Sequence, residues 1–170
     1  MKKLLLICTL LIAILSSCKK YEDGPCISFR SASERIGTKW IVELFKINDV
    51  DNTQLYKDSC NCNFVFADRH QHNPQEFYYE NCKDSVWIFG RYLLESKKTE
   101  IYMEPSKNII YFKSGVLHTS LGDSTVNYFG PISTIIKSNW TIKRLTKKEL
   151  WIETTYQDSV YFIEFKNGYL

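Results

Sequence analysis

The feature that most restricts the fold of this chain is a series of short runs in which apolar and polar residues alternate. In the run from 38 to 45, large apolar side chains fall at every second position, which is typical of a strand with one buried face. Comparable strand-like runs recur at 63–67, 76–81, 85–90, 99–104, 108–112, 132–145, 149–155 and 159–166. The segments between them carry the residues that favour turns, at Asn48-Asp49, Asp51-Asn52, Asn73-Pro74, Pro105-Ser106-Lys107-Asn108, Ser114-Gly115, Gly122-Asp123 and Thr146-Lys147-Lys148.

Helical patterning is nearly absent. Only residues 31–36 have a helical pattern, and they make about two turns of helix. Strands do not alternate with helices, which argues against a parallel sheet and against nucleotide-binding folds. Eight or nine short strands joined by short loops favour an all-β antiparallel barrel or sandwich with a short N-terminal helix.

The N-terminus resembles an export signal for a lipid-anchored protein. Lys2 and Lys3 precede an apolar run, Leu4 to Leu15, that is too short to span a bilayer. The sequence Leu15-Ser16-Ser17-Cys18 that follows resembles a bacterial lipobox. The resemblance implies that residues 1–17 are a signal peptide and that Cys18 becomes an acylated N-terminus, tethering the chain without a spanning segment.

The residues after Cys18 bear on its destination. Lys19 resembles the residue found there in lipoproteins sent to the outer membrane of Gram-negative bacteria, and residues 20–23 loosely resemble signals for the outer cell face. Periplasmic and surface locations both stay open. Residues 18–27 are predicted to form a lipidated tether, and 28–170 the folded domain.

The charge balance is close to neutral. Loss of Lys2 and Lys3 with the signal peptide lowers the formal charge from +3 to about +1, because 20 basic residues then face 19 acidic ones. Such a balance does not indicate a nucleic-acid partner. Eleven Tyr, ten Phe and four Trp predict a core rich in aromatic side chains.

Two short stretches resemble the lipocalin-like domain of small bacterial lipoproteins. Gly37-Thr38-Lys39-Trp40 follows the helical turn and resembles the lipocalin Gly-x-Trp, with one additional residue before the Trp. The hairpin from Trp140 to Ile152 resembles the late strands of the same group. The resemblance implies an up-and-down barrel of about eight strands whose Trp closes the floor, and whose interior could hold a small apolar or amphipathic ligand.

The interior of an eight-stranded barrel can be filled by side chains or can hold one small ligand. The candidate cavity-lining residues are Trp40, Val42, Leu44, Phe64 and Phe66. Two functions follow: a ligand-binding barrel at the membrane, or an interaction module that contacts an envelope protein, a glycan or a host surface through its loops. Neither function requires a cofactor.

Four cysteines remain after Cys8 and Cys18 are set aside: Cys26, Cys60, Cys62 and Cys82. Cys60 and Cys62 are poorly placed to bond to each other in an extended strand. A hairpin centred near residues 71 and 72 would pair positions whose numbers sum to about 143, which places Cys82 opposite Cys60 or Cys62. One disulfide is therefore predicted to staple this hairpin and a second to tie Cys26 to the same strand.

Free thiols and a metal site are alternatives to the disulfides. His70 and His72 lie between these cysteines, and Zn²⁺ or Cu⁺ accepts such a ligand set. The Cys-x-Cys spacing and the polar loop around the histidines favour disulfides, so no metal is predicted. Nucleophile elbows, phosphate-binding loops and zinc-protease motifs are lacking, and the pairing of His118 with Ser120 is weak, so no enzymatic activity is predicted.

Overall fold

The computed structural model describes residues 21, 31–59, 61–67, 75–80, 87–112, 115–117 and 138–170. Two short helices, α1 (Ala32–Ile36) and α2 (Thr53–Ser59), occur in this part of the chain, and a short 3₁₀ segment spans Ser96–Lys98. The strands are β1 (Lys39–Ile47), β2 (Val50–Asp51), β3 (Asn63–Ala67), β4 (Gln75–Glu80), β5 (Trp87–Glu95), β6 (Glu100–Phe112), β7 (Gly115–Leu117), β8 (Asn139–Leu145), β9 (Glu149–Tyr156) and β10 (Ser159–Asn167).

Eight of these strands form a closed antiparallel barrel. β1, β3, β4, β5, β6, β8, β9 and β10 are neighbours in chain order, and pairing of β10 with β1 closes the ring. The short strands β2 and β7 extend the barrel by pairing with β1 and β6. The predicted all-β antiparallel barrel of about eight strands is confirmed.

The barrel has two distinct ends. One end, here called the floor, holds α1, the start of β1, the β5–β6 turn and the β8–β9 turn. Backbone bonds from Asn167 to Lys148 and from Gly168 to Lys39 join the end of β10 to the β8–β9 turn and to β1. The opposite end, here called the rim, holds α2 and the β1–β2 and β9–β10 turns. Asn48 ties those two turns together, because its backbone amide donates to the Val160 carbonyl at 2.8 Å.

The predicted register of the β3–β4 hairpin is confirmed. Asn63 pairs with Glu80, and Phe64 pairs with Tyr79, so paired positions sum to 143. The predicted turn at 105–108 is wrong, because β6 continues from Glu100 to Phe112. The four residues between Pro105 and Ile110 are accommodated in a bulge opposite Phe89, since Ile88 pairs with Ile110 and Gly90 with Pro105. The predicted strand start at 132 lies outside the described residues.

Of the two helices, α1 was predicted from the sequence and α2 was not. Helix α1 forms where predicted, and Ser31 and Glu34 make a reciprocal capping box at its start. Helix α2 was not predicted, because its sequence lacks an apolar stripe. In the structure one of its apolar residues, Leu55, is 53% exposed. It is held by tertiary contacts instead: the Tyr56 ring packs on Phe45, and its hydroxyl donates to the Cys62 carbonyl at 2.7 Å. In the described part of the chain no helix meets the length and apolarity that a membrane span requires.

Candidate functional site

The interior of the barrel is a filled core in the described residues. Trp40, Val42, Phe64 and Phe66, predicted to line it, are all at most 4% exposed. The Phe64 ring meets the edge of Phe165 at a centroid distance of 5.0 Å, and the Phe66 ring meets Tyr92 in the same way. Side chains this deeply buried offer almost no surface that a water molecule could touch, so they pack against one another rather than around an open space.

Leu44, the fifth predicted lining residue, lies on the outer face instead. The β1–β10 register shifts between Val42 and Leu44, so that Val42 pairs with Phe165 while Leu44 pairs with Glu164. This bulge reverses the alternation along β1, and Phe45 rather than Leu44 is buried. A bulge leaves no signal in a simple period of two, which is why the prediction for Leu44 is wrong.

A cluster of side chains closes the floor. The Trp40 indole Nε1 donates to the Ile36 carbonyl at 2.9 Å, and the buried Arg35 guanidinium donates to the Leu145 carbonyl at 2.5 Å. Tyr21, inside the predicted tether, is only 3% exposed and lies 5.4 Å under the Arg35 guanidinium. Burial raises the pKa of Tyr21, while the charge of Arg35 and its hydrogen bond lower it. The packed structure therefore includes a residue of the segment predicted to be a tether.

The indole of Trp140 contains a buried donor without a hydrogen-bond partner among the described residues. The indole Nε1 of Trp140, on β8, is fully buried and makes no hydrogen bond to the described residues. A buried donor without an acceptor is destabilising by about 1–3 kcal/mol. Such a group is a candidate contact for an acceptor atom brought in by a ligand.

The predicted cysteine and histidine cluster lies mostly outside the described residues. Cys62 is buried at the rim and disulfide-bonded. Cys26, Cys60, Cys82, His70 and His72 are not described, nor are Cys18, His118 and Ser120, so the disulfide pairing stays a prediction. No group of three potential metal ligands occurs in the described residues.

The outer face of the barrel carries an aromatic patch across four strands. One row runs directly across β1, β10, β9 and β8 through Leu44, Glu164, Trp151 and Arg144. In the neighbouring row Lys46 of β1 pairs with Phe162 of β10. We call these six residues the wall patch; Leu44, Lys46, Arg144, Trp151, Phe162 and Glu164 are all partly exposed.

Cations cover the two rings of the wall patch. The Arg144 guanidinium lies 4.9 Å from the Trp151 ring centroid, and the Lys46 ammonium lies 5.9 Å from that of Phe162. The two rings meet edge to face, with centroids 6.3 Å apart. Ion pairs surround this centre: Arg144 with Glu149 at 2.8 Å, Lys143 with Glu153 at 3.6 Å, and Lys166 with Glu43. The patch thus has an apolar centre and a charged margin.

Glu164 is the carboxylate at the centre of the wall patch. Partial burial raises its pKa, and the nearby carboxylates of Glu149 and Glu43 act in the same direction. Lys46 and Arg144 oppose the shift but do not cancel it. The folded state therefore disfavours the charged form of this side chain relative to the unfolded chain.

Replacement Glu164→Gln should stabilise the protein at neutral pH. A carboxyl whose pKa is raised by folding contributes stability below its unfolded-state pKa and loses that contribution as pH rises through the folded-state value. The midpoint of urea unfolding should therefore be higher for the variant at pH 7. The gain should disappear below about pH 4, where a free glutamate is protonated. Glu95→Gln, at an exposed position, serves as the control; a gain for Glu164→Gln that is unchanged by pH would contradict this account.

The wall patch was missed from the sequence for a specific reason. Trp151 stands between Leu150 and Ile152, and Phe162 stands between Tyr161 and Ile163, so both strands are apolar at consecutive positions. The available signal for an exposed apolar patch was the presence of large apolar side chains on both faces of these strands. The cation on each ring depends on cross-strand pairing, which single-strand patterns do not reveal.

The similarity of this chain to known proteins is weak. No protein-family model and no curated protein matches this chain. A crystal structure of an uncharacterized protein from Bacteroides eggerthii is similar at a TM-score of 0.41 and 17% identity, covering 76% of this chain and 97% of the other. The assignment of an antiparallel barrel therefore depends on the strand pairing described above.

Proposed function

We propose that this chain is a bacterial outer-membrane lipoprotein whose lipocalin-like barrel is a non-enzymatic interaction module. The lipobox resemblance at Cys18 supports the anchor, and the barrel supports the domain class. The observation that carries the interaction is the wall patch, proposed here as the surface that binds a protein partner of the cell envelope. It differs from the predicted site, which was placed in the loops.

The composition of the wall patch fits a protein interface. Tryptophan and arginine are the residues that most often dominate binding energy at such interfaces, and a polar margin around an apolar centre excludes water. The cation above each ring and the edge-to-face contact already hold Trp151 and Phe162 in place. Less side-chain freedom is then lost on binding.

A small apolar or amphipathic ligand inside the barrel is the second candidate. The buried Nε1 of Trp140 favours it, because a ligand acceptor atom would satisfy this donor. The tight packing of Phe64, Phe66 and Phe165 around the interior opposes it. A ligand would have to displace side chains of the core, so we place this candidate second.

In-cell photo-crosslinking tests the wall patch. A photoreactive phenylalanine derivative is placed at position 44, in the patch, or at position 93 as a control. Leu93 is an apolar residue, 47% exposed, on β5 of the opposite wall. Position 44 should give one discrete adduct with an envelope protein, and Trp151→Ser in the same chain should abolish it. Position 93 should give none.

Three outcomes would overturn the proposed interface. They are no adduct at position 44, an equal adduct at position 93, or an adduct that persists with Trp151→Ser. Native mass spectrometry of the purified protein tests the second candidate in parallel. A bound apolar compound of a few hundred daltons, lost on replacement of Trp140 by Phe, would make ligand binding the primary function.

A further inference from the structure

Tyr21 is fixed to the floor of the barrel. Its ring lies beneath the guanidinium of Arg35, and its hydroxyl donates to the carbonyl of Lys98 at 3.1 Å. Arg35 in turn donates to the carbonyl of Leu145. Tyr21 is therefore bound to both the β5–β6 side and the β8 side of the floor.

The position of Tyr21 sets how far the barrel can lie from its anchor. Tyr21 is three residues from Cys18, and an extended chain covers at most about 3.6 Å per residue. The Cα atom of Cys18 therefore lies within roughly 11 Å of that of Tyr21, whichever path residues 19 and 20 take, which keeps a lipid on Cys18 close to the floor. This step relies on the lipid anchor proposed above.

The floor presents lysines on both sides of Tyr21. Lys97 and Lys98 are exposed at the β5–β6 turn, and Lys147 and Lys148 are exposed at the β8–β9 turn. The second turn is fixed by Asn167, whose side-chain amide donates to the Lys147 carbonyl at 2.9 Å. We call these four residues the floor lysines.

Four acidic residues lie near the floor lysines, and two of them bind other groups of the protein. Glu34, Glu95, Glu100 and Glu149 lie at this end among the described residues, and Glu149 pairs with Arg144 at 2.8 Å. One oxygen of Glu34 accepts the backbone amide of Ser31 at 2.7 Å in the capping box. In the sequence Lys19 and Lys20, next to the predicted anchor, are balanced by Glu22 and Asp23.

The described part of the rim is mainly acidic. Its exposed charged residues in the described part of the chain are Asp49, Asp51, Asp58, Asp158 and Lys57. Among the described residues, exposed lysines therefore outnumber exposed carboxylates at the floor, whereas aspartates predominate at the rim. A negatively charged lipid surface would attract the floor and repel the rim within a Debye length of about 10 Å.

We infer that the floor is a membrane-docking surface: the floor lysines bind the headgroups of anionic lipids, so that the barrel stands on its closed end and points its rim away from the bilayer. The barrel is then held in one orientation, with the wall patch facing sideways. Near such a surface each lysine strengthens binding by about fivefold.

Vesicle binding of a non-acylated chain tests the inference. The chain of residues 18–170 with Cys18→Ser keeps every described residue and has no lipid. Sedimentation is measured with vesicles of phosphatidylcholine plus phosphatidylglycerol, and with phosphatidylcholine alone. The protein should bind the anionic vesicles at low salt, dissociate at high salt, and leave the neutral vesicles unbound.

Two matched variants locate the binding surface. In the floor variant each floor lysine is replaced by Gln. The control carries Lys57→Glu, Thr155→Glu and Gln157→Glu, all at exposed rim positions, and lowers the net charge by the same amount. The floor variant should bind anionic vesicles at least roughly tenfold more weakly, whereas the control should keep most of the binding.

Absence of binding to anionic vesicles, or equal losses in the two variants, would overturn the inference. Either result would leave the proposed function standing if Cys18 is acylated in cells. An unmodified Cys18 together with the expected vesicle binding would reject the anchor and keep the docking surface. The two failures are therefore distinguishable.

Discussion

Replacement Gly90→Ala should lower the free energy of unfolding by about 3 kcal/mol. A Cβ at this position would lie 2.5 Å from Cε1 of Phe77 and 2.6 Å from the carbonyl oxygen of Glu104. Carbon atoms do not approach so closely, so the ring or the neighbouring strand must move. Phe77 is fully buried and packs near Phe66, which leaves its ring little room to move.

The place of Gly90 in the sheet explains the size of this effect. Gly90 pairs with Phe77 on one side and with Pro105 on the other, next to the bulge in β6. The Phe77 ring covers the space that a side chain would occupy, a packing that only glycine permits. The substitution therefore disturbs the core and the bulge at the same time.

A second glycine provides the matched control. At Gly168 a Cβ would meet Cγ of Lys39 at 2.9 Å and Cγ1 of Ile41 at 3.2 Å, so the three nearest atoms belong to side chains and none to the backbone. Gly168→Ala should lower the free energy of unfolding by about 1 kcal/mol, clearly less than Gly90→Ala. Urea unfolding followed by circular dichroism measures both variants, and Gly90→Ala with Phe77→Leu should recover part of the loss. Equal losses at the two glycines would contradict the packing described for Phe77.

Local patterns in the sequence were enough to predict most of the barrel. Alternation located β3, β9 and β10 to within one or two residues, because these strands have a clear inner face. The position of the loop between β3 and β4 was enough to fix their register. Helix α1 was predictable because its capping residues, Ser31 and Glu34, lie close together at its start in the sequence.

Features that depend on contacts between distant segments were not predictable in this way. The bulge in β1 turned Leu44 outward, and α2 exists through the contacts of Tyr56 with Phe45 and Cys62. Tyr21 was assigned to the polar tether, because the residues next to it in the sequence do not reveal its contacts with distant segments. Its ring packs against Arg35 and its hydroxyl donates to the Lys98 carbonyl. The wall patch required the pairing of four strands.

Replacement Cys18→Ser should remove the protein from the outer-membrane fraction. Burial of acyl chains contributes about 0.8 kcal/mol per methylene, so two or more chains make attachment effectively permanent. A serine at position 18 offers no thiol to acylate, and the remaining charge attraction of the floor lysines is weakened by salt. Fractionation of cells, followed by detection of the protein in each fraction, measures the change. Cys8→Ser, which removes a thiol outside the lipobox and outside the predicted disulfides, should leave the protein in the outer membrane.

The N-terminal peptide of the protein purified from membranes tests the anchored barrel most directly. Its mass should correspond to a chain that begins at Cys18 and carries a diacylglyceryl group on the sulfur, with a further acyl chain on the amine. Residues 1–17 should be missing from every peptide. A peptide that begins elsewhere, or one with an unmodified Cys18, would contradict the account.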